Sequence, residues 1–204
     1  MLTPNRLRSE VERLARLAAT VTGSHSSAVF LPTESISTTT PSSHVSNRHI
    51  ETDRSQPTPT LRRSVDSDSD TRGSSIELVA ISSQSPHTRD CRIPVGSGLL
   101  GWVAEHAKPI HVSPCEVRSD TIGIYVENPP VKSLLAVPIR VDAQSDIDGS
   151  PRPPAGVLMC DSLKLHAFTN QHAALLADLS AHISQLVSWV RTASQASLVE
   201  GSWE

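Results

Sequence analysis

The chain has 204 residues, a formal net charge of −3 at pH 7 and a hydrophobic content of 37%. This length suits one domain with appendages, and the low hydrophobic content predicts that part of the chain does not fold. The weak charge comes without a basic stripe and no apolar run approaches ~18 residues, so neither nucleic acid nor a membrane is an expected partner.

Residues 4 to 21 show the periodicity of an amphipathic helix. Pro4 suits the first helical position and Gly23 supplies an exit. The apolar residues recur at steps of three and four, which predicts one buried face: Leu7, Val11, Leu14, Leu17, Ala18 and Val21. Residues 26 to 31 then form a short apolar run that ends at Pro32, which predicts the first strand of a sheet.

The composition changes between residues 33 and 75, where nearly half of the residues are serine or threonine. Such a segment cannot bury enough apolar surface to offset its ordering entropy, so we predict a disordered insertion. Residues 62 to 70 within it place serines after paired arginines and before acidic residues. A kinase substrate and a solvated loop both remain open for this pattern. Residues 75 to 82 then form a strand that can pair with the first, because loop closure costs little more as loops lengthen.

The pattern of residues 92 to 112 predicts, in chain order, a strand, a glycine turn, a short helix and another strand. Gly96, Gly98 and Gly101 fit the pattern G-x-G-x-x-G literally. A dinucleotide site, however, requires a buried parallel strand before the glycines and a full βαβ unit around them. Pro94 is poor in a central strand, so we interpret the glycines as a structural turn.

Two apolar runs, at residues 133 to 141 and 156 to 163, are predicted to be adjacent antiparallel strands, because a polar, proline-rich connection joins them. Thr169 can cap a long helix, and residues 193 to 204 are predicted to be a disordered tail. The helix carries an apolar face: Leu175, Leu176, Leu179, Ile183, Leu186, Val187 and Val190.

Four motifs in this order resemble the GAF domain family of small-molecule sensors and dimerisation modules. They are the stretch over residues 92 to 112, the V-P-I strand ending at Ile139, the G-V-L strand starting at Gly156, and the F-T pair at Phe168 with its leucine-rich helix. The resemblance implies one α+β domain over residues 1 to 192, interrupted by the insertion. Its central antiparallel sheet has five or six strands, with the N- and C-terminal helices on one face and a short helix plus loops covering a pocket on the other.

The resemblance places the pocket between the sheet and a layer made by the short helix and the loop over residues 113 to 131. The ligand-binding candidates are residues of that layer, of its end and of the G-V-L strand: Tyr125, Glu127, Lys132, Trp102, Cys115 and Asp161. Tyr125, the single tyrosine, offers both a ring and a hydroxyl. Trp102 shares its helix with apolar positions, which favours the core over the site, and the alternative for the loop is a surface that is simply polar.

Known chemistries of the family can be compared with this sequence. Members that reduce methionine sulfoxide use cysteines in the glycine turn and before the V-P-I strand, where this chain has Leu100 and a cysteine-free segment at residues 120 to 133. Members that attach a bilin often have a histidine after the cysteine, which Cys115 lacks. His106, His111 and Cys115 are ligand types for a metal, but a helix end, a strand and a loop would have to converge. We therefore expect no catalytic residue, cofactor or metal.

The leading interpretation is a non-enzymatic regulatory domain that binds an unknown small molecule or protein partner and passes its state through the terminal helices to a separate effector protein. Those helices can also form a homodimer, unless their apolar stripes are used on the domain's own sheet. Two alternatives stay open: a dimerisation or interaction scaffold without a ligand, and a redox enzyme acting through Cys91, Cys115 or Cys160. Three distant cysteines form no disulfide framework and the start lacks a signal peptide, so we expect a reducing, cytoplasmic setting.

Overall fold

A computed structural model describes residues 4 to 33, 74 to 88, 90 to 115, 122 to 140 and 154 to 200, with side chains from residue 5 to residue 193 within these ranges. Residues 34 to 73, which hold most of the predicted insertion and its kinase-like pattern, lie outside the described residues. The two ends of the insertion meet, because the Thr33 hydroxyl donates to the Ser75 carbonyl oxygen at 3.0 Å.

Three helices and six strands make up the described part of the chain. The helices are α1 (Pro4–Thr22), α2 (Gly98–His106) and α3 (Asn170–Glu200). The strands are β1 (Ser26–Pro32), β2 (Ser75–Ser83), β3 (Arg92–Pro94), β4 (Ile110–Val112), β5 (Ser133–Ile139) and β6 (Gly156–Ser162). Each predicted helix and strand is present. The largest difference between a predicted and an observed boundary is at the C-terminal end of α3.

The strands form one antiparallel sheet in the order β3-β2-β1-β6-β5-β4. β1 and β2 pair as the predicted hairpin, with Ser26 opposite Ser83. The register shifts after Val29, and such a bulge reverses the alternation of side chains along a strand. As a result Leu78 faces α2, whereas Ala80 of the same strand faces the terminal helices. The predicted α+β fold with its antiparallel sheet is confirmed.

The terminal helices pack on one face of the sheet and form the first core layer. Their buried contributions are Val11, Ala15, Ala18, Leu176, Ile183 and Val187. The Ser180 hydroxyl of α3 adds a polar tie, since it donates to the Pro138 carbonyl oxygen of β5 at 2.5 Å. Leu17 and Val21 do not join this layer as the periodicity predicts, because α1 uses its alanine side for contact and leaves them 47% and 48% exposed.

The last helix, α3, extends to Glu200, although the sequence predicts a disordered tail from residue 193. Residues 193 to 200 contain neither glycine nor proline, so helix-breaking residues are absent until Gly201. Within the described residues, Asn170–Ala193 is the helix that is long and apolar enough to cross a membrane by length and composition alone. A core helix passes the same test, and Ile183 of α3 is fully buried against the sheet.

The second core layer lies between the other face of the sheet and α2. Leu100, Val103 and Ala104 of α2 are buried in it. α2 ends where Ala107 adopts a left-handed conformation (φ 49°) and donates its N–H to the Val103 carbonyl oxygen. The helix therefore ends shortly before Pro109, the residue predicted to close it.

The glycine turn sets the distance between β3 and α2. Gly96 has a φ of 81°, a conformation that glycine adopts without strain. A Cβ at Gly101 would lie 2.4 Å from the Pro94 carbonyl oxygen, so a side chain here would push α2 away from β3. This close approach supports the interpretation of the glycines as structural.

Gly101→Ala is expected to lower the free energy of unfolding by roughly 1–3 kcal/mol, because the added Cβ overlaps the Pro94 carbonyl oxygen. Ser97→Ala is the matched control, since the Ser97 side chain makes no capping hydrogen bond, and should change stability by less than about 0.5 kcal/mol. Urea denaturation followed by circular dichroism measures both. Equal stability of Gly101→Ala and the wild type would contradict the close approach.

Candidate functional site

Side chains of the protein fill the layer where the sequence predicts a pocket. The loop over residues 113 to 131, here called the covering segment, contributes Cys115, Ile122, Ile124 and Val131 to the second core layer. They pack with residues of the sheet such as Met159, which is fully buried. Residues 116 to 121 of the same loop lie outside the described residues. A ligand in this layer would have to displace the covering segment.

A buried polar contact lies at the edge of this layer. The Tyr125 hydroxyl donates to Oδ2 of Asp161 and lies 2.7 Å from the Ser26 Oγ. Asp161 in β6 is directly opposite Ser26 in β1, so the strand register brings these two groups together. The Ser26 Oγ also lies 2.8 Å from the Ser83 Oγ of β2. One tyrosine from the loop thus contacts two strands of the sheet.

Burial governs the electrostatics of this contact. It raises the pKa of Asp161 to about 7, even though hydrogen bonds from Tyr125 and the Ser26 backbone lower it. Burial, followed by the nearby Asp161 charge, raises the pKa of Tyr125, which therefore stays a protonated donor at neutral pH. Oδ1 of Asp161 has no hydrogen-bond partner among the described residues.

The backbone around Tyr125 is held by the connection between β2 and β3. The Thr88 N–H donates to the Ile124 carbonyl oxygen at 2.9 Å, and the Val126 N–H donates to the Pro86 carbonyl oxygen at 3.2 Å. These bonds flank the isolated bridge between His87 and Tyr125. The position of the tyrosine hydroxyl over Asp161 therefore depends on a short backbone ladder at one edge.

His25 and Ser26 are site residues that the sequence does not reveal. His25 lies beside Tyr125, with ring centroids 6.3 Å apart, and its Nε2 is 2.8 Å from the Ser85 Oγ. Burial lowers the pKa of His25, so the imidazole is neutral at pH 7. In the sequence, His25 and Ser26 are only two polar residues at the start of a strand. Their place in the site becomes visible once the strand register sets Ser26 opposite Asp161.

Among the six predicted candidates, Tyr125 and Asp161 are in direct contact. Cys115 is buried in the second core layer, and its N–H donates to the Lys132 carbonyl oxygen at 2.7 Å. The side chains of Lys132 and Glu127 are exposed. Of the six predicted residues, two thus meet, and the other four, Trp102 included, lie apart from them.

Trp102 lies on the outer side of α2, so its predicted place in the core is wrong. It is 37% exposed and stacks on His106 with ring centroids 4.5 Å apart. The helix turns its Leu100, Val103 and Ala104 side inward, which leaves position 102 outward. Within the part of the chain that is described, no group of three His, Cys, Asp or Glu residues could hold a metal ion.

The three cysteines are free thiols and all are buried. Burial raises the pKa of Cys91 and of Cys160. The thiolate is the form that attacks a substrate, so neither of these two groups is activated. Their surroundings give no support to the redox alternative.

Solved structures share this fold at low sequence identity. The blue-light absorbing form of the Thermosynechococcus elongatus PixJ GAF domain is similar with a TM-score of 0.59 at 12% identity, covering 100% of this chain and 98% of that chain. The GAF domain of a phosphoenolpyruvate-protein phosphotransferase from Coxiella burnetii gives 0.57 at 16% identity, over 93% and 86%. Free methionine-R-sulfoxide reductase from Neisseria meningitidis, in complex with its substrate, gives 0.56 at 18%, over 92% and 81%. At these identities the likeness shows the fold alone.

A comparison with curated protein sequences finds no match. The family model described as GAF domain matches residues 6 to 187, which is most of the chain and includes all of the sheet. The match agrees with the strand order and with the two helical layers. The chain therefore belongs to the GAF domain family.

Proposed function

We propose that this chain is a non-enzymatic regulatory domain that binds a small molecule between the sheet and the segment carrying Tyr125. The contact between Tyr125 and Asp161 carries the proposal. A carboxylate on the sheet is fully buried, and it is covered by a hydroxyl from the loop over residues 113 to 131. Buried carboxylates with perturbed pKa values concentrate at functional sites.

Binding requires the covering segment to move, because Ile122 and Ile124 occupy the layer beneath it. A ligand that replaces their apolar contacts and offers a donor to Asp161 would favour an open state. The ligand would increase the population of the open state over the closed state to the extent that it binds the open state more tightly. Its expected form is an apolar body with a polar group that donates hydrogen bonds.

A route from this site to the terminal helices runs through β6. Asp161 faces the second core layer, whereas Cys160 next to it belongs to the first core layer with the helices. The Thr22 Oγ1 in the last turn of α1 lies 3.8 Å from the Cys160 Sγ. A displacement of β6 at Asp161 would therefore alter a contact of α1, which supports signal transfer through that helix.

We also propose a homodimer through the terminal helices. Leu17 and Val21 of α1 and Trp189 of α3 remain exposed, and Trp189 is 63% exposed. Exposed aromatic and aliphatic side chains are typical anchors of protein interfaces. In this proposal a separate effector protein recognises the state of the paired helices.

A scaffold without a ligand is the second candidate, and the filled second core layer favours it. A thermal-shift screen of cellular metabolites separates the two functions. For a sensor, a ligand at one hundred times its dissociation constant should stabilise the protein by about 2.7 kcal/mol. A scaffold should respond to no metabolite, whereas a melting temperature that rises with protein concentration is expected in both cases, because both include the homodimer.

Tyr125→Phe is expected to lower the free energy of unfolding by roughly 1–3 kcal/mol, because Oδ2 of Asp161 loses its side-chain donor. A stabilising metabolite should bind this variant more tightly, since the closed state competes less. Val126→Ala is the control on the same segment, because the Val126 side chain is exposed. Calorimetric titration of both variants measures the affinities. Weaker metabolite binding by Tyr125→Phe than by Val126→Ala would contradict the closing role of Tyr125.

Asp161→Asn is expected to flatten the pH dependence of stability. Because burial raises the pKa of Asp161 to about 7, the folded wild type retains a proton that the unfolded chain loses above about pH 4. Its free energy of unfolding should fall between about pH 5 and pH 7, by up to ~1.4 kcal/mol per pH unit. His25, whose pKa is lowered, acts in the opposite direction in both proteins. Urea denaturation across this range tests the difference, and identical slopes would be the contrary result.

Trp189→Ala is expected to raise the dissociation constant of the homodimer roughly tenfold or more, because interface tryptophans are common hot spots. Trp102→Ala is the matched control, since Trp102 is a partly exposed tryptophan on α2, a helix that packs on the opposite face of the sheet. Sedimentation equilibrium measures the association of both variants. A monomeric wild type, or equal weakening by both substitutions, would remove the proposed interface.

A further inference from the structure

The hydrogen-bonding state of the Asp161 carboxylate indicates which chemical groups a ligand would need. Asp161 is fully buried, and its Oδ2 accepts the hydrogen bond from Tyr125. Its Oδ1 has no hydrogen-bond partner among the described residues. Leaving a buried acceptor unpaired is costly, so this oxygen is suited to a donor that comes from outside the chain.

The described side chains bring no positive charge to this carboxylate. The ion pairs found within the described ranges do not include Asp161. His25 beside Tyr125 is neutral at pH 7, because burial lowers its pKa. Lys132 donates its backbone N–H to the Ser162 carbonyl oxygen at 2.8 Å, but its side chain is exposed.

Apolar side chains continue from this carboxylate along the same face of the sheet. Side chains alternate along a strand, so Asp161 shares its face with Val157 and Met159 of β6. Ile122 and Ile124 of the covering segment pack against this face. A ligand there would meet an apolar surface that ends, among the described residues, at the acidic group of Asp161.

We infer, on the basis of the proposed small-molecule function, that the ligand is a cation carrying an amidinium or guanidinium group on an apolar body. Such a group presents two N–H donors in one plane, which match the two oxygens of a carboxylate. One donor pairs with Oδ1 of Asp161, and the other takes Oδ2 when Tyr125 moves away. The apolar body replaces Ile122 and Ile124 against the sheet.

Benzamidine and benzamide are the matched probes, because they have nearly the same shape and only benzamidine is a cation. We expect benzamidine to raise the melting temperature of the wild-type protein and to shift the amide NMR signals of residues 122 to 126. Benzamide should do neither at the same concentration. Tyr125→Phe should bind benzamidine several-fold more tightly, since it removes the Tyr125 hydroxyl from Oδ2, and Asp161→Asn should lose the response.

The outcomes separate this inference from the proposed function. An equal response to benzamide, or a benzamidine response retained in Asp161→Asn, would overturn the inference that the ligand is a cation bound by Asp161. Should Asp161→Asn fail to fold, an unchanged benzamidine affinity in Tyr125→Phe overturns it instead. Stabilisation by a neutral or anionic metabolite, with signal shifts at residues 122 to 126, would overturn the ligand class and leave the sensor function standing. Silence towards benzamidine and every metabolite would overturn both.

Discussion

The pairing of β1 with both β2 and β6 is the constraint on which this structure depends. All seven residues of β1 are buried, because the strand lies inside the sheet and each of its faces meets a core layer. Val29 and Leu31 contact the layer of the terminal helices, whereas Ala28 and Phe30 contact the layer of α2. This strand also fixes Ser26 opposite Asp161, so the geometry of the candidate site follows from the register of the central ladder.

Asp161 is a charged residue type buried at the edge of an apolar core layer. The other residues of β6 that share its face, Val157 and Met159, are apolar and fully buried. A carboxylate in such a position costs stability unless it is paired, and here the pairing is incomplete because only Oδ2 has a side-chain donor. Conflicts between a local residue and its surroundings are expected at functional sites. The same reasoning does not apply to Cys115, which is a small buried side chain in an apolar layer and needs no special partner.

Sequence periodicity predicted the elements well, because helices and strands leave regular spacings of apolar residues. It was weaker wherever the answer depended on how elements rotate or pair. Leu17 fits the apolar spacing of α1 but is exposed, and Trp102 fits an apolar helix but faces outward, since the rotation of each helix is set by its packing against the sheet. Ser26 could not be identified, because its partner Asp161 is brought opposite by a ladder between distant segments. Tyr125 and Asp161 were both predicted as pocket residues, one in the covering loop and one in the G-V-L strand, but the sequence did not predict their contact.

The alternation of side chains along β6 explains how one strand can serve both sides of the sheet. Cys160 and Asp161 are neighbours in sequence, yet one contacts the terminal helices and the other the covering segment. Because the strand is bonded to β1 and β5 along its length, it moves as part of a stiff sheet and not as a single residue. Coupling between sites requires an element with two arrangements that both sites influence. In the proposed sensor that element is the Tyr125 segment, whose described residues are held by a short backbone ladder at one edge and by two isoleucines beneath it. A ligand competes with these contacts and acts on a strand that the helices already touch.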